Sequence, residues 1–346
     1  MHKLSLVPIF LSSRRRGAAE KPFETASIFP LRRNPIWHCL AGFILLVGNA
    51  VGQESPQFVS LKKQTNNDVT LSFSAPAGQN YRIDASVNLQ DWLALTTGLG
   101  KGQDQLTDTA APQRDFRFYR IQPVTGASVL TGDHLQTDDG DVVIHPINHA
   151  SFVMQWKQLI IYNDPVGGAT PYRDLARADL ILVSHTHGDH FDPATLNAVK
   201  GPNARIIAPA AVYSSLSAAL KAIAIPLANG GTTNLMDLTI DAVPAYNANH
   251  PKGAGNGYVI TIGGRRIYMS GDTGDVAEMR ALPNIDVAFL AMNLPFTMSV
   301  SAAASATLQF KPRIVYPYHF SNSDVNAFKR MVAADPSIEV RQRKWY

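Results

Sequence analysis

One heptapeptide constrains this chain more than any other stretch. The letters SHTHGDH at residues 184–190 directly follow the apolar run 180–183. They place three imidazoles and one carboxylate, all common ligands of first-row metals, within six residues of a chain that has only ten histidines. A solvated loop would explain one such histidine, but it does not explain the whole cluster. The sequence therefore predicts a metal site at the end of a buried strand.

The spacing inside this motif predicts two neighbouring ions. Alternate residues that leave a strand point the same way, so we expect His185 and His187 to bind one ion. Gly188 is expected to allow a tight turn. Beyond that turn, Asp189 and His190 are expected to face a second ion.

Three more ligand-type residues, His250, Asp272 and His319, each follow an apolar run later in the chain. Binding sites of α/β proteins commonly lie beyond the ends of strands. Taken singly, His250 could be a loop residue, Asp272 a turn residue between glycines, and His319 a hydrogen-bonded core histidine. Together they complete two coordination shells.

The pattern from Val142 onward predicts mixed sheets covered by helices. The predicted strands are 142–144, 151–156, 159–162, 180–183, 205–208, 238–245, 258–262, 266–270, 287–291 and 313–316. The predicted helices are 194–200, 210–223, 276–282, 301–309 and 324–334. Antiparallel strands followed by β/α alternation are typical of helix-covered sheets, and two such halves predict an α/β fold with four αββα layers.

A small all-β domain is predicted to precede that sandwich. Strands at 69–73, 81–86 and 117–121 indicate a β-sandwich module over residues 55–124, joined by a Thr/Gly/Asp-rich linker, 125–141, to the main domain, 142–346. The module resembles fibronectin-like modules of secreted bacterial proteins. Trp92 and Tyr119 could contact carbohydrate or a surface by stacking, although aromatic residues of small β-domains are more often core.

Residues 1–53 have the features of a leader segment. Arg32 and Arg33 precede the apolar run 36–51, and small residues follow from Gly48 to Gly52. This pattern predicts a secretory signal and export to the periplasm or the cell exterior. The alternative is an uncleaved membrane anchor, for which the run is short.

Charge and cysteine content narrow the function classes. The chain has 31 Lys/Arg and 27 Asp/Glu, but seven of the former and only two of the latter lie in the leader, so the remainder is near neutral. This balance argues against a nucleic-acid partner. The only cysteine, Cys39, also lies in the leader, so the mature chain would have no disulfide and no thiolate ligand.

The order of these motifs resembles the metallo-β-lactamase superfamily over about residues 142–346. The shorter motifs around Asn148-His149, Asp164-Pro165, His250-Pro251 and Pro317–His319 resemble its ascorbate-phosphate lactonase-like and phospholipase-D-like hydrolases. The resemblance implies that one ion is bound by His185, His187 and His250, that the other is bound by Asp189, His190 and His319, and that Asp272 bridges both. This branch often has glycine where the chain has Asn148, so His149 either lines the pocket or braces the site.

The expected activity is hydrolysis of an ester, lactone or phosphodiester in a small-molecule or lipid-like substrate by a hydroxide that bridges two metal ions. Zinc is expected first, and manganese, nickel or iron also suit these ligands. Asp189 and His149 are the candidate catalytic residues, with Asp189 moving a proton to the leaving group. Asp164 either orients a ligand histidine or caps a turn before Pro165.

Rival functions remain. A β-lactamase commonly has a cysteine in its metal site, which this mature chain lacks, and a nuclease would need a basic surface. A secreted binding protein with a structural metal site is the alternative from outside the enzymes. Structural zinc sites usually use four ligands for one ion, whereas seven ligands for two ions leave room for water.

Overall fold

The structure is a computed structural model and describes residues 5–11, 41–47, 55–114, 117–124 and 130–346. Within the predicted leader it describes the backbone of two antiparallel strands, β1 (Ser5–Leu11) and β2 (Ala41–Val47). The predicted cleavage region, 48–53, lies outside the described residues. In the described part of the chain, no helix is long and apolar enough to cross a membrane.

Residues 55–124 form two facing sheets around one core. Their strands are β3 (Gln57–Lys63), β4 (Val69–Ala75), β5 (Asn80–Ser86), β6 (Leu93–Leu99), β7 (Gly102–Asp108) and β8 (Phe118–Pro123), with a 3-10 helix at Ala111–Gln113. Strands β3, β4 and β7 form one sheet, and β8, β5 and β6 lie side by side in the other. Leu71 and Phe73 of the first sheet are fully buried with Ile83 and Tyr119 of the second. The alternation of apolar and polar residues correctly predicted β4, β5 and β8, whereas β3, β6 and β7 were not predicted.

The two aromatic residues with a possible stacking role differ in accessibility. Tyr119 is fully buried, and its hydroxyl donates to Asp108 over 2.9 Å, so it belongs to the core. Trp92 lies near the surface, where the guanidinium of Arg120 is 4.5 Å from its ring centroid. Because Tyr119 is buried, its ring is not accessible for stacking against a sugar.

Residues 130–346 carry the remaining strands and all α-helices of the described chain. The first group of strands is β9 (Gly132–Thr137), β10 (Gly140–Asn148), β11 (Ser151–Trp156), β12 (Leu159–Asn163), β13 (Ala178–Leu182), β14 (Lys200–Ala208) and β15 (Ala224–Pro226). The second group is β16 (Thr232–Leu235), β17 (Leu238–Asn247), β18 (His250–Ile262), β19 (Arg265–Met269), β20 (Val287–Ala291), β21 (Ile314–Tyr318) and β22 (Glu339–Val340). The helices are α1 (Pro193–Val199), α2 (Ala210–Ser215), α3 (Ala218–Lys221), α4 (Ala277–Arg280), α5 (Val300–Phe310) and α6 (Val325–Val332), with a 3-10 helix at Thr170–Tyr172.

The two groups of strands form two large sheets. The larger sheet has twelve strands in the order β1-β2-β8-β5-β6-β9-β10-β11-β12-β13-β14-β15. The other has seven strands in sequence order from β16 to β22. Strand β6 of the N-terminal region pairs with β9 through Thr96 and Thr97, so one sheet runs through both regions.

This pairing corrects the predicted linker. Residues 125–129 lie outside the described residues, but β9 and the start of β10 occupy 132–141 as paired strands. The Thr/Gly/Asp composition there resembles a turn, yet Asp133, Leu135 and Thr137 are buried. The alternation of these side chains, rather than their polarity, determines the local structure.

Helices cover the outer faces of the two sheets. An apolar core lies between the sheets, where the rings of Phe152 and Phe289 stack with centroids 4.3 Å apart. Helices α1 to α3 bury Leu196, Val212 and Leu220 against the first sheet. Helices α4 to α6 cover the second sheet through a separate apolar cluster. The predicted four-layer αββα sandwich is therefore confirmed.

Several predicted elements have different bounds in the structure, and two of these differences have a local explanation. The helix predicted over 210–223 is divided because Ser217 begins a new helix, with its hydroxyl accepting from the Leu220 amide. The strand predicted over 258–262 begins eight residues earlier, at His250. Glycines are needed in this extension, since a Cβ at Gly257 would lie 2.8 Å from the Met269 carbonyl oxygen.

Candidate metal centre

The ends of parallel strands bring the predicted ligands to one edge of the sandwich. Strands β12 and β13 run parallel and are followed by Asp164 and by the 184–190 motif. In the facing sheet, β19, β20 and β21 also run parallel. Asp272 follows β19 closely, and His319 follows β21 directly. Because the two sheets pack face to face, these loops meet.

Seven predicted ligands form two adjacent sets that share one carboxylate. We call the first set, His185, His187 and His250, the imidazole set. We call the second set, Asp189, His190 and His319, the carboxylate set, and a ring nitrogen of His149 lies in the same group of possible ligand atoms. Within each set, ligand atoms lie within 4.8 Å of one another. The sequence-predicted site residues therefore all converge.

Asp272 lies between the two sets, with one oxygen directed to each. Its Oδ2 atom lies 3.8 Å from His185 Nε2 and 3.7 Å from His250 Nε2. Its Oδ1 atom lies 3.2 Å from His190 Nε2 and 3.3 Å from His319 Nε2. This is the arrangement that a carboxylate bridging two cations requires.

Asp164 supports the carboxylate set from behind. Its Oδ2 atom lies 2.8 Å from His190 Nδ1, which directs His190 Nε2 into the site. The same carboxylate accepts from the amide and the hydroxyl of Ser184, each over 2.7 Å. Of the two roles considered for Asp164, orienting a ligand histidine is therefore the one that the hydrogen bonds bear out. Such partners fix the tautomer of a ligating histidine.

Neutral groups support the imidazole set. His185 Nδ1 lies 3.0 Å from the hydroxyl of Ser184, and His250 Nδ1 lies 2.9 Å from Asn247 Oδ1. Ser184 and Asn247 were not predicted as site residues, since serine and asparagine near strand ends are common in loops. With Nδ1 held in this way, the Nε2 atoms of His185 and His250 are directed towards Asp272.

The polar atoms of this centre fit a pair of cations. Nε2 of His185, His190 and His319, together with Asp272 Oδ1, are buried atoms that have no hydrogen-bond partner among the described residues. Buried polar atoms are normally satisfied, so four orphaned atoms that face one another call for a shared binding partner. Imidazole nitrogens and carboxylate oxygens are ligands of divalent first-row metals.

Electrostatics in the centre also favour cations. Burial and the neighbouring His190 lower the pKa of His185 to about 2, so its imidazole is neutral at neutral pH. Burial opposes ionisation of Asp272, but the facing His190 and the other imidazoles outweigh it and lower the pKa of Asp272. For His190, Asp272 and Asp164 outweigh burial and raise its pKa.

Several residues around the centre have left-handed backbone conformations. His149, Asp164 and His319 have φ angles of 55°, 42° and 45°. This region costs a non-glycine residue roughly 1–2 kcal/mol, and such residues concentrate at functional sites. Each of the three follows a strand end and turns its side chain towards the ligands.

Glycine has different roles in the two metal-site loops. The predicted turn is present at Gly188, but Gly188 does not have a positive φ and a Cβ there would meet nothing within 4 Å, so this turn does not require glycine. Gly271, beside the bridging carboxylate, has a φ of 58°. A Cβ at Gly271 would lie 2.9 Å from the carbonyl oxygen of Asn256, so glycine is required there.

His149, the other predicted catalytic residue, lies at the edge of the carboxylate set. Its Nε2 atom is 3.1 Å from Asp189 Oδ2, and its ring centroid is 3.7 Å from that of His319. Its Nδ1 atom is 2.7 Å from the hydroxyl of Tyr346. Tyr346 was missed by sequence reasoning because it lies 197 positions away, and nothing in its local sequence marks it as part of a site.

Comparison with known proteins agrees with this geometry. The family model of the beta-lactamase superfamily domain matches residues 140–320, about half of the chain. A metal-dependent hydrolase of Pyrococcus furiosus is 30% identical over 213 residues, which cover 56% of this chain and 93% of the relative.

Solved structures give the same result. A crystal structure from Parabacteroides distasonis, described as that of a metal-dependent hydrolase, is 37% identical with a TM-score of 0.58, and the match covers 63% of this chain and all of that one. The metallo hydrolase Igni18 of Ignicoccus hospitalis is 26% identical with a TM-score of 0.52, and the match covers 59% of this chain and 95% of that one. With these similarities and the converged ligands, the chain belongs to the metal-dependent hydrolases of the beta-lactamase superfamily.

Proposed function

We propose that this chain binds two divalent cations, zinc in the first place, and uses them to hydrolyse an ester, a lactone or a phosphodiester. The observation that carries this proposal is the shared carboxylate of Asp272 between two ligand sets. The buried ligand atoms without any other partner support it further.

Asp272 and Asp189 would have different roles in the reaction. When bound, two such cations lower the pKa of a shared water to about 7 and polarise the oxygen of the substrate. Asp272 holds the two ligand sets at a fixed separation through its two oxygens. Asp189, whose side chain is 48% exposed, can accept a proton at its carboxylate and pass it to the leaving group.

The openness of the centre favours catalysis over a purely structural role. Structural metal sites are closed by protein ligands. Here His187 is exposed and Asp189 is about half exposed, whereas His190 and His319 are buried. One side of each ligand set is therefore accessible to a substrate.

An apolar loop beside the centre supports a substrate with an uncharged, apolar portion. Leu294 and Phe296 are 62% and 52% exposed. The Asn247 side-chain amide donates to the Phe296 carbonyl oxygen over 2.8 Å, while its Oδ1 atom contacts His250. The loop is thus fixed next to a metal ligand, where it can contact a small-molecule or lipid-like substrate.

A chelator-controlled assay tests the proposal. Purified protein loaded with zinc or manganese is assayed with bis(4-nitrophenyl) phosphate, 4-nitrophenyl butyrate, an aliphatic lactone and nitrocefin, with and without EDTA. We expect turnover of one of the first three that EDTA abolishes and metal restores. Absence of turnover in protein with two bound ions would favour the alternative of a binding protein with a structural metal site.

Export is a separate part of the proposal. The basic residues and the apolar run within 1–53 support a secretory signal. Fusion of residues 1–60 to alkaline phosphatase, which is active only outside the cytoplasm, tests it. Activity of the fusion with release of a shortened protein is expected, whereas an active but uncleaved fusion would favour the membrane anchor.

A further inference from the structure

The hydroxyl of Tyr346 contacts His149, which lies beside the carboxylate set. Its oxygen lies 2.7 Å from His149 Nδ1 and accepts from the Ser321 amide over 2.8 Å. The Tyr346 ring packs edge-on against Phe320, with centroids 5.1 Å apart. Tyr346 is therefore held through both its ring and its hydroxyl, although it is 59% exposed.

The segment that leads to this tyrosine is firmly anchored. Arg341 and Arg343 pair with the buried carboxylates of Glu339 and Asp133 over 2.8 and 2.7 Å. Trp345 is 1% exposed and packs in the core between the sheets. Its carbonyl oxygen accepts from the His149 amide over 2.9 Å. The position of the next residue relative to His149 is thus set by the core.

The side chains of Tyr346, His149 and Asp189 form a chain of contacts, and their hydrogen-bonding capacity determines which atom donates in each contact. An aspartate carboxylate only accepts hydrogen bonds, so His149 Nε2, 3.1 Å from Asp189 Oδ2, is the nitrogen that donates to it. The Tyr346 hydroxyl accepts from the Ser321 amide and has its own proton left to donate. His149 Nδ1, 2.7 Å away, is the acceptor that faces it.

We infer that Tyr346 is a positioning residue that holds His149 in the Nε2-protonated tautomer and thereby fixes the Asp189 carboxylate for its work at the centre. Tyr346 acts only through His149. Among the described residues, the contacts of its side chain are with His149, Phe320 and the Ser321 amide. The inference deepens the proposed function and rests on it only for the kinetic part of the test.

The tautomer can be observed directly. We would label the full protein with ¹⁵N-histidine and record two-bond ¹H–¹⁵N imidazole correlations, with and without zinc, using His149→Gln to assign the His149 signals. Wild-type protein is expected to show a protonated Nε2 and a bare Nδ1 at His149. Tyr346→Phe, which keeps the ring, is expected to give a mixture of both tautomers.

The kinetic part uses whichever substrate the assay panel identifies. Tyr346→Phe should lower kcat about 10-fold, as loss of a partner of a site residue does, with KM and metal content unchanged. His149→Gln combined with Tyr346→Phe should cost no more than His149→Gln alone, because both act through the same contact. Tyr213→Phe, on α2 with its ring 5.8 Å from the Lys221 ammonium, is the control and should match wild type.

The outcomes separate this inference from the proposed function. An unchanged His149 tautomer in Tyr346→Phe would overturn the inference, whatever the activity. Deprotonation of Nε2 in the zinc-loaded wild type would also overturn it, since His149 would then be a metal ligand. A tautomer change in a protein that hydrolyses nothing would support the inference and refute the proposed function.

Discussion

The two ligand sets differ in the groups that hold them. The imidazole set has no carboxylate of its own and is supported by a hydroxyl and an amide, those of Ser184 and Asn247. The carboxylate set contains Asp189 and is supported by a second carboxylate, Asp164. A cation in the carboxylate set therefore meets more negative charge, and hydrogen bonds to charged groups are about twice as strong as neutral ones. We expect the two cations to be bound with unequal affinity, tighter in the carboxylate set.

Removal of the shared ligand, Asp272, should abolish metal binding in both sets. Asp272→Ala deprives both sets of an oxygen, so both cations should be lost. Activity should fall by more than about 100-fold, because loss of a residue that only orients a ligand already costs roughly 10–100-fold. Metal analysis after gel filtration measures the first effect. Asp275→Ala, three residues further on in the same loop and paired with Arg280, is the matched control and should retain both cations.

Changes behind each set should separate the two affinities. Asp164→Asn should weaken binding in the carboxylate set by about 10–100-fold and weaken the imidazole set less, since Asp164 reaches His185 only through Ser184. Asn247→Ala should weaken the imidazole set, by about 10-fold, because a neutral partner is lost. Stepwise competition with a chelator measures both constants. Equal weakening of both sites by either variant would contradict the assignment of these partners.

The pH dependence of metal binding should also distinguish the sets. Asp272 and Asp164 raise the pKa of His190, so the metal-free protein carries a proton there at neutral pH that a cation must displace. His185, with its pKa lowered to about 2, has none to release. Below the raised pKa of His190, the affinity of the carboxylate set should therefore rise about 10-fold per pH unit. Calorimetry in two buffers of different ionisation enthalpy would count the proton, and Asp164→Asn should reduce it.

The smallest expected effect concerns the two glycines of the site. Gly271→Ala should lower the free energy of unfolding by at least about 1 kcal/mol, since its left-handed backbone and the close Asn256 carbonyl oxygen oppose a side chain. Gly188→Ala should change it by less than about 0.5 kcal/mol, because the space around it is open. Thermal unfolding measures both. A large loss of stability in Gly188→Ala would show that the turn does require glycine.

The ligands could be predicted from the sequence because each combines two signals. A histidine or aspartate has a specific metal chemistry, and an apolar run before it marks a strand end. The same logic identified Asp164 beside Pro165. The supporting groups Ser184 and Asn247 have only the second signal, a position near a strand end, because serine and asparagine side chains occur in many loops.

Other features depend on tertiary contacts that no local pattern contains. Strand β9 was predicted as part of a linker because its residues are polar. Asp133 is nevertheless buried, because it pairs with Arg343, which lies more than two hundred residues later. Tyr346 reaches His149 only because Trp345 is fixed in the core. Local periodicity predicts which strands form, whereas long-range pairing decides which polar residues are buried.

Anomalous diffraction from zinc-loaded crystals tests the central claim most directly. Data collected on both sides of the zinc absorption edge should reveal two peaks about 3.5–4 Å apart, the usual separation in two-metal sites. One should be bound by the imidazole set, the other by the carboxylate set, with Asp272 touching both. A single peak, or two peaks of which neither is bound by Asp272, would contradict the account.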